Sequence, residues 1–290
     1  MSLIASFALT LEPLNPGAPL PAETGISTRG LLYHLLTGAN PAAAATIHED
    51  NGPRPFTCSS LLGRHRRGDD GRPLLADGPY RLRYTALTSA LADVLSEALY
   101  RAYALGDPVR IGALEFRIRR VITASDHDHW ARATTYDTLL GGEPRALWRL
   151  AFRSPTAFKQ QFGHLPLPLP HSIFRSALSR WNAFCPAACA IEDDTLARVT
   201  EAVFPSALSV RTVSVPLEHG PFVGFVGRAD LQAVRPLPED HVRKLTALAE
   251  YLYYCGAGHG TPRGWGQVAV IDSPSASAAR QQTDEQEQSE

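Results

Sequence analysis

Lysine is almost missing from this 290-residue chain: Lys159 and Lys244 are its only two. Nearly all of the positive charge is therefore guanidinium, a group suited to phosphate contact and to stacking on bases. Cysteine is scarce as well. The four present (Cys58, Cys185, Cys189, Cys255) make no disulfide framework, and Cys185 with Cys189 lacks the second ligand pair that a zinc site needs. No apolar run approaches the roughly 20 residues of a membrane-spanning helix. The opening stretch MSLIASFALTLEPLN has no basic flank before its apolar residues, so it reads as a strand and not as a signal peptide. A cytoplasmic protein is the expectation.

Net charge is nearly absent too, at −1. The segment Ser273–Glu290 holds one base (Arg280) against four acids (Asp284, Glu285, Glu287, Glu290). That is −3, which against the chain's −1 leaves +2 on residues 1–272. Its Ser, Ala, Gln and Glu content reads as a disordered tail. Within the rest, Arg54, Arg64, Arg66, Arg67, Arg72, Arg81 and Arg83 crowd into thirty residues. Local basic patches on a near-neutral chain fit one specific RNA better than bulk nucleic-acid coating.

The periodicities give strands at 3–11, 56–62, 80–87 and 110–123, with helices at 28–37, 41–49 and 88–104. After a polar stretch around His127–Pro144 come a strand at 147–153 and helices at 171–184 and 193–203. Strands at 208–217 and 222–234, a helix at 239–254 and a strand at 267–271 complete the series. The order strand–helix–strand–strand–helix–strand occurs twice, which predicts an α+β chain of tandem ferredoxin-like (RRM-like) domains with antiparallel sheets. Their expected limits are 1–125 and 146–272, joined by a linker at 126–145 and followed by the tail at 273–290.

Residues 29–62, RGLLYHLLTGANPAAAATIHEDNGPRPFTCSSLL, concentrate the candidate chemistry. On a helical wheel Leu31, Leu32, Leu35 and Leu36 share one face, while Tyr33, His34 and Thr37 lie on the other. Asn40 then Pro41 is a cap followed by a first-turn proline, and Asn51–Gly52 is a stop. His48 thus falls in the last turn of a short helix, where the helix dipole favours a protonated ring, and Arg54 follows beside a strand entry. A tyrosine, a histidine and an arginine brought together suit cleavage of RNA by its own 2′-hydroxyl. One group takes the hydroxyl proton, another protonates the departing 5′-oxygen, and a cation stabilises the phosphorane, so no metal is required. Taken alone, an exposed histidine is more often inert than catalytic.

A second constellation is CGAGHGTPRGWGQV (255–268), with Gly256, Gly258, Gly264 and Gly266 in a G-x-G, five residues, G-x-G pattern. It leaves a helix and enters a strand, the reverse of a dinucleotide-binding loop. A tight turn or a backbone phosphate nest fits equally. In the third block (152–184), Phe174, Leu178 and Trp181 form a core stripe, with Arg175, Ser179 and Asn182 on the outer face. Arg81 with Arg83, and Arg117 with Arg119, share strand faces. His127 and His129 are too isolated for a metal pair.

The run LLY, NPAAAATIHE and GPRPFT closely resembles the N-terminal signature of the CRISPR repeat-processing endoribonucleases, the Cas6 family of the RAMP superfamily. The glycine-rich loop sits where that family carries its hallmark loop, and the Ser-Pro-Thr-x-Phe, proline-run and Arg-Trp-Asn segments resemble the start of its C-terminal domain. The resemblance implies an endoribonuclease that cleaves repeat RNA without metal or other cofactor, leaving 2′,3′-cyclic phosphate and 5′-hydroxyl ends. It carries catalytic roles to Tyr33, His48 and Arg54, with His34 in reserve. The basic position is lysine in the family pattern and arginine here, which restricts Arg54 to electrostatic stabilisation. Gly256, Gly258, His259, Arg263, Gly264 and Gly266 are the implied RNA contacts, to which Arg81, Arg83, Arg117 and Arg119 are added from strand periodicity. The implied partners are repeat RNA or crRNA and other Cas subunits, with a homodimer left open and no membrane. Two rival readings remain: a crRNA-holding RAMP subunit without catalysis, and a metal-dependent nuclease built on Asp69–Asp70 or Asp193–Asp194.

Overall fold

The near-continuous apolar run LIASFALTLEP forms β1 (Leu3–Pro13), the central strand of a sheet and buried along most of its length. The computed structural model describes residues 2–50, 52–192, 194–217 and 220–271. Asn51 of the expected helix stop, Asp193 at the expected helix start and the tail from Ser273 lie outside the described residues.

After β1 come α1 (Gly25–Ala39), α2 (Pro41–Glu49), β2 (Phe56–Cys58), a small hairpin β3 (His65–Arg67) and β4 (Pro73–Leu75), β5 (Tyr80–Ala86) and α3 (Ser89–Leu105). The first half ends with β6 (Val109–Ile111), β7 (Leu114–Ile122), β8 (Arg132–Thr135) and α4 (Tyr136–Leu140). The second half runs β9 (Leu147–Thr156), hairpin β10 (Phe158–Gln160) and β11 (Gly163–Leu165), α5 (Pro170–Phe184) and α6 (Asp194–Ala202). It continues through β12 (Val203–Val215), β13 (Phe222–Ala233), α7 (Glu239–Cys255) and β14 (Val268–Val270). The sheets are ordered β2-β5-β1-β7-β6 and β12-β13-β9-β14, every pairing antiparallel. Numbering the shared strands of each half in chain order gives 2-3-1-4 twice, so the tandem ferredoxin-like fold stands.

Local rules account for the helices. Leu31, Leu32, Leu35 and Leu36 are all buried, each contributing roughly 1.5–3 kcal/mol when fully removed from water. The Asn40 side chain accepts the Ala43 N–H at 3.0 Å and Pro41 opens α2. Phe174, Leu178 and Trp181 line the buried face of α5.

Three expectations need correction. The strand expected over 110–123 is a hairpin, β6 and β7, reversing at Gly112–Ala113. Residues 65–75 hold the unforeseen hairpin β3–β4. The stretch between the halves is no bare connector: β8 pairs with β1, and Tyr136 in α4 packs edge-on against Trp181 at 4.8 Å while its hydroxyl donates to the Leu87 carbonyl at 2.9 Å. Among the described residues no helix is long and apolar enough to cross a membrane.

Polar pairs stitch the halves together. The Tyr254 carbonyl in α7 accepts from Thr85 Oγ1 at 2.9 Å, and Gln267 Nε2 donates to the Cys58 carbonyl at 3.1 Å. Ser59 and Gly264 form a parallel bridge. The glycine-rich loop of the second half is thereby set against β2 and the start of α1 in the first.

Candidate active site

The last turn of α2 leaves carbonyls without helical partners, and Arg54 satisfies them. Its Nη1 donates to the carbonyls of Ile47 and Asp50, and its Nη2 to that of His48 at 3.3 Å. A cation at a helix C-terminus is also favoured by the dipole. Arg54 therefore fixes the backbone on which His48 stands, a role the sequence did not disclose. The His48 side chain is exposed, and its ring meets Tyr33 edge-on, centroids 5.3 Å apart. Phe56 at the start of β2 packs edge-on against Tyr33 at 5.7 Å. The structure thus brings Tyr33, His48 and Arg54 together.

Tyr33 is half-buried, and that burial raises its pKa above the ordinary phenol value, against the opposing pull of Arg54 and Arg29. A raised value keeps the phenol protonated at neutral pH, a hydrogen-bond donor. Arg29 was overlooked as a site residue. The available signal was its spacing: it precedes Tyr33 by four positions on α1, which puts both on one side of the helix. His34, the reserve candidate, is exposed and lines a separate groove between α1 and α3 with Leu35, Ala98 and Arg101.

The glycine-rich loop is held by α5 and by its own chain. Arg180 Nη1 donates to the Cys255 carbonyl at 2.5 Å and Nη2 to that of Gly258 at 3.0 Å, while the Gly258 N–H reaches Ser176 Oγ at 2.8 Å. A Cβ on Gly266 would stand 2.0 Å from the Ala257 carbonyl oxygen, and one on Gly258 2.3 Å from that of Ala157. Gly256, Gly264 and Gly266 are buried. This corrects their expected part as RNA contacts, because the missing side chains make room for the protein's own backbone. Of the six loop residues expected to contact RNA, Gly258, His259 and Arg263 present surface. Gly266→Ala, at φ +66° as well, is expected to cost about 1–3 kcal/mol in a thermal melt. Gly71→Ala, also at positive φ but in open space, should cost less.

The strand arginines divide. Arg83 is buried between the halves, donating from Nε to Ser6 Oγ at 2.8 Å, from Nη1 to Gln267 Oε1 at 2.7 Å and from Nη2 to the Tyr253 carbonyl at 2.5 Å. It is structural, which corrects its expected place on an RNA-facing surface. Arg81 remains about half exposed beside it, paired with Asp128. Arg119 pairs with Glu12 at 2.5 Å, and Arg117 lies 4.0 Å from the same carboxylate while donating to the Gly106 carbonyl. Glu12 offsets much of the charge there. Among the described residues no group of three or more His, Cys, Asp or Glu side chains stands together in a metal-holding arrangement, and all four cysteines are free.

The family model described as CRISPR-associated endoribonuclease Cas6 matches residues 150–268. A Thermus Cas6 product complex shares 29% identity at a TM-score of 0.74, over 92% of this chain and 99% of that one. A second product complex, of a Thermus thermophilus Cas6, gives 26% identity and a TM-score of 0.76, over 93% and 100%. A Cas6-related protein of Pyrococcus furiosus, at 12% identity and a TM-score of 0.62 over 93% and 99%, supports the fold alone. Comparison with curated protein sequences finds no match.

Proposed function

We propose that this chain is a Cas6-type CRISPR-associated endoribonuclease, a reading supported by its likeness to that family's model and structures, and that it cuts CRISPR repeat RNA at a phosphate held over Tyr33 and His48. The 2′-oxygen of the nucleotide before the cut attacks phosphorus and gives its proton to solvent water. The bond from phosphorus to the 5′-oxygen breaks, and that oxygen gains a proton. The products are a 2′,3′-cyclic phosphate and a 5′-hydroxyl. His48, exposed at the end of α2, delivers the proton to the leaving 5′-oxygen. Tyr33, protonated at neutral pH, donates a hydrogen bond to the phosphate, and Arg29 and Arg54 supply positive charge around it. Arg54 is already engaged by three carbonyls of α2, so its larger duty is to hold His48 in place. Alignment of the 2′-oxygen with the leaving group contributes much of the rate, because free RNA rarely adopts that geometry.

The observation that carries this reading is the 5.3 Å edge-on contact of Tyr33 with His48 beside the Arg54-capped helix end. Those side chains cover protonation of the leaving oxygen and charge stabilisation without an ion, so cleavage is expected to continue in excess EDTA. A repeat RNA carrying 2′-deoxyribose at the nucleotide 5′ to the cut is expected to stay intact. Cleavage of that deoxy substrate at the ribose rate would sink the mechanism.

A further inference from the structure

Hairpin β10–β11 carries Phe162 at its tip, and this ring is 93% exposed. The next most exposed large apolar side chain among the described residues, Leu105, reaches 62%. A phenyl ring in water gains nothing in the isolated protein. The hairpin also forms one wall of a groove of about 620 Å³, whose other walls are α5 and the outer side of the glycine-rich loop. Lys159, His171, Arg175, Arg180 and His259 line this groove, and no carboxylate does. Lys159 and His164 face each other across the hairpin, and the His164 ring lies 4.7 Å from that of His259.

The groove is not isolated from the Tyr33–His48 pair. Arg29 acts electrostatically on Tyr33 and on Glu23, and Arg263 acts on Glu23 and on His259. Arg263 is exposed, and its backbone abuts Gly25 at the start of α1. Positive side chains therefore follow one another from Arg54 through Arg29 and Arg263 to Lys159, with the His259 ring between the last two. A polyanion lying on that band would pass the hairpin. Phe162 lies in the two-residue turn just past the Gln160–Gly163 pair, so at about 3.3 Å per step it stands roughly 7 Å beyond Lys159 along the hairpin, within reach of a base whose phosphate lies in the groove.

We infer that the β10–β11 hairpin is a single-strand reader: the groove holds the RNA backbone and Phe162 stacks on one unpaired base outside the cleavage site. This deepens the proposed function and rests on it for the identity of the ligand. An aromatic face accepts any base, so the contact adds affinity and register without reading sequence.

The test uses the full chain and the repeat RNA of the array nearest its gene, with 2-aminopurine placed at each unpaired position in turn. Because Phe162 is solvent-exposed, Phe162→Ala should melt like the parent. It is expected to raise Kd and KM by about 5- to 100-fold with kcat unchanged. One 2-aminopurine position should be quenched by the parent protein and not by the variant, and Phe162→Trp should restore both readings. Unchanged affinity and quenching in Phe162→Ala would overturn the inference, as would a loss of kcat at constant KM. So would self-association that disappears in Phe162→Ala at constant RNA affinity, which would assign the ring to a second copy of the chain. If the parent protein binds repeat RNA but does not cut it, the proposed function fails while the Phe162 comparison still reads out on binding.

Discussion

His48→Ala is expected to lower the single-turnover rate of repeat-RNA cleavage by about 10²- to 10⁴-fold, the usual contribution of a positioned acid or base, while RNA affinity stays near the parent value. The His48 side chain is exposed and meets Tyr33 through an edge-on ring contact. Its loss should therefore shift stability by no more than about 0.5 kcal/mol, and a fall in rate can be read as chemistry. Arg54→Ala makes the instructive comparison. It removes the bonds to the carbonyls of Ile47, His48 and Asp50, so it should loosen the end of α2 and slow cleavage together. Parent-like cleavage by His48→Ala would take the proton transfer away from His48 and pass it to another group, His34 being the next candidate.

The second large effect lies away from the chemistry. Arg83→Ala is expected to destabilise the fold by about 3–5 kcal/mol, the range for breaking a buried hydrogen-bonded network. At this size that is a fall of roughly 6–20 °C in Tm. The guanidinium bonds Ser6 on β1, Gln267 before β14 and the Tyr253 carbonyl on α7, and it lies 4.7 Å from the Trp130 ring and 4.4 Å from that of Tyr253. Burial pulls its pKa down from the ordinary value, yet arginine remains charged at neutral pH. Alanine would strand the Gln267 and Tyr253 acceptors inside the interface. Lysine keeps the charge but loses the fork that reaches three acceptors at once, so Arg83→Lys should recover only part of the loss. A melt within about 1 kcal/mol of the parent would show that Arg83 does not hold the halves together.

The unread parts of the fold share a cause. The hairpin β3–β4 is short and its first strand is exposed on every residue, so no alternation marks it. β6 and β7 are each apolar on the same terms, and only the reversal at Gly112–Ala113 separates them. In both places the strand partner, not the pattern, makes the element. The α1 stripe, the Asn40–Pro41 start of α2 and the Phe174–Leu178–Trp181 face of α5 were legible because the decisive neighbours lie three or four residues apart.

The candidate site divides the same way. By itself the sequence determined that Tyr33, His48 and Arg54 come from one short stretch, and that element order repeats through two halves, since local spacing and caps set those features. Only the tertiary structure decided that Arg83 is a buried fastener while its strand neighbour Arg81 stays half in water, and that three of the four glycines in the G-x-G pattern are buried. An arginine on a strand face meets solvent or a second domain according to what folds over it. Its partners here stand more than 75 residues away, beyond anything a local pattern can encode.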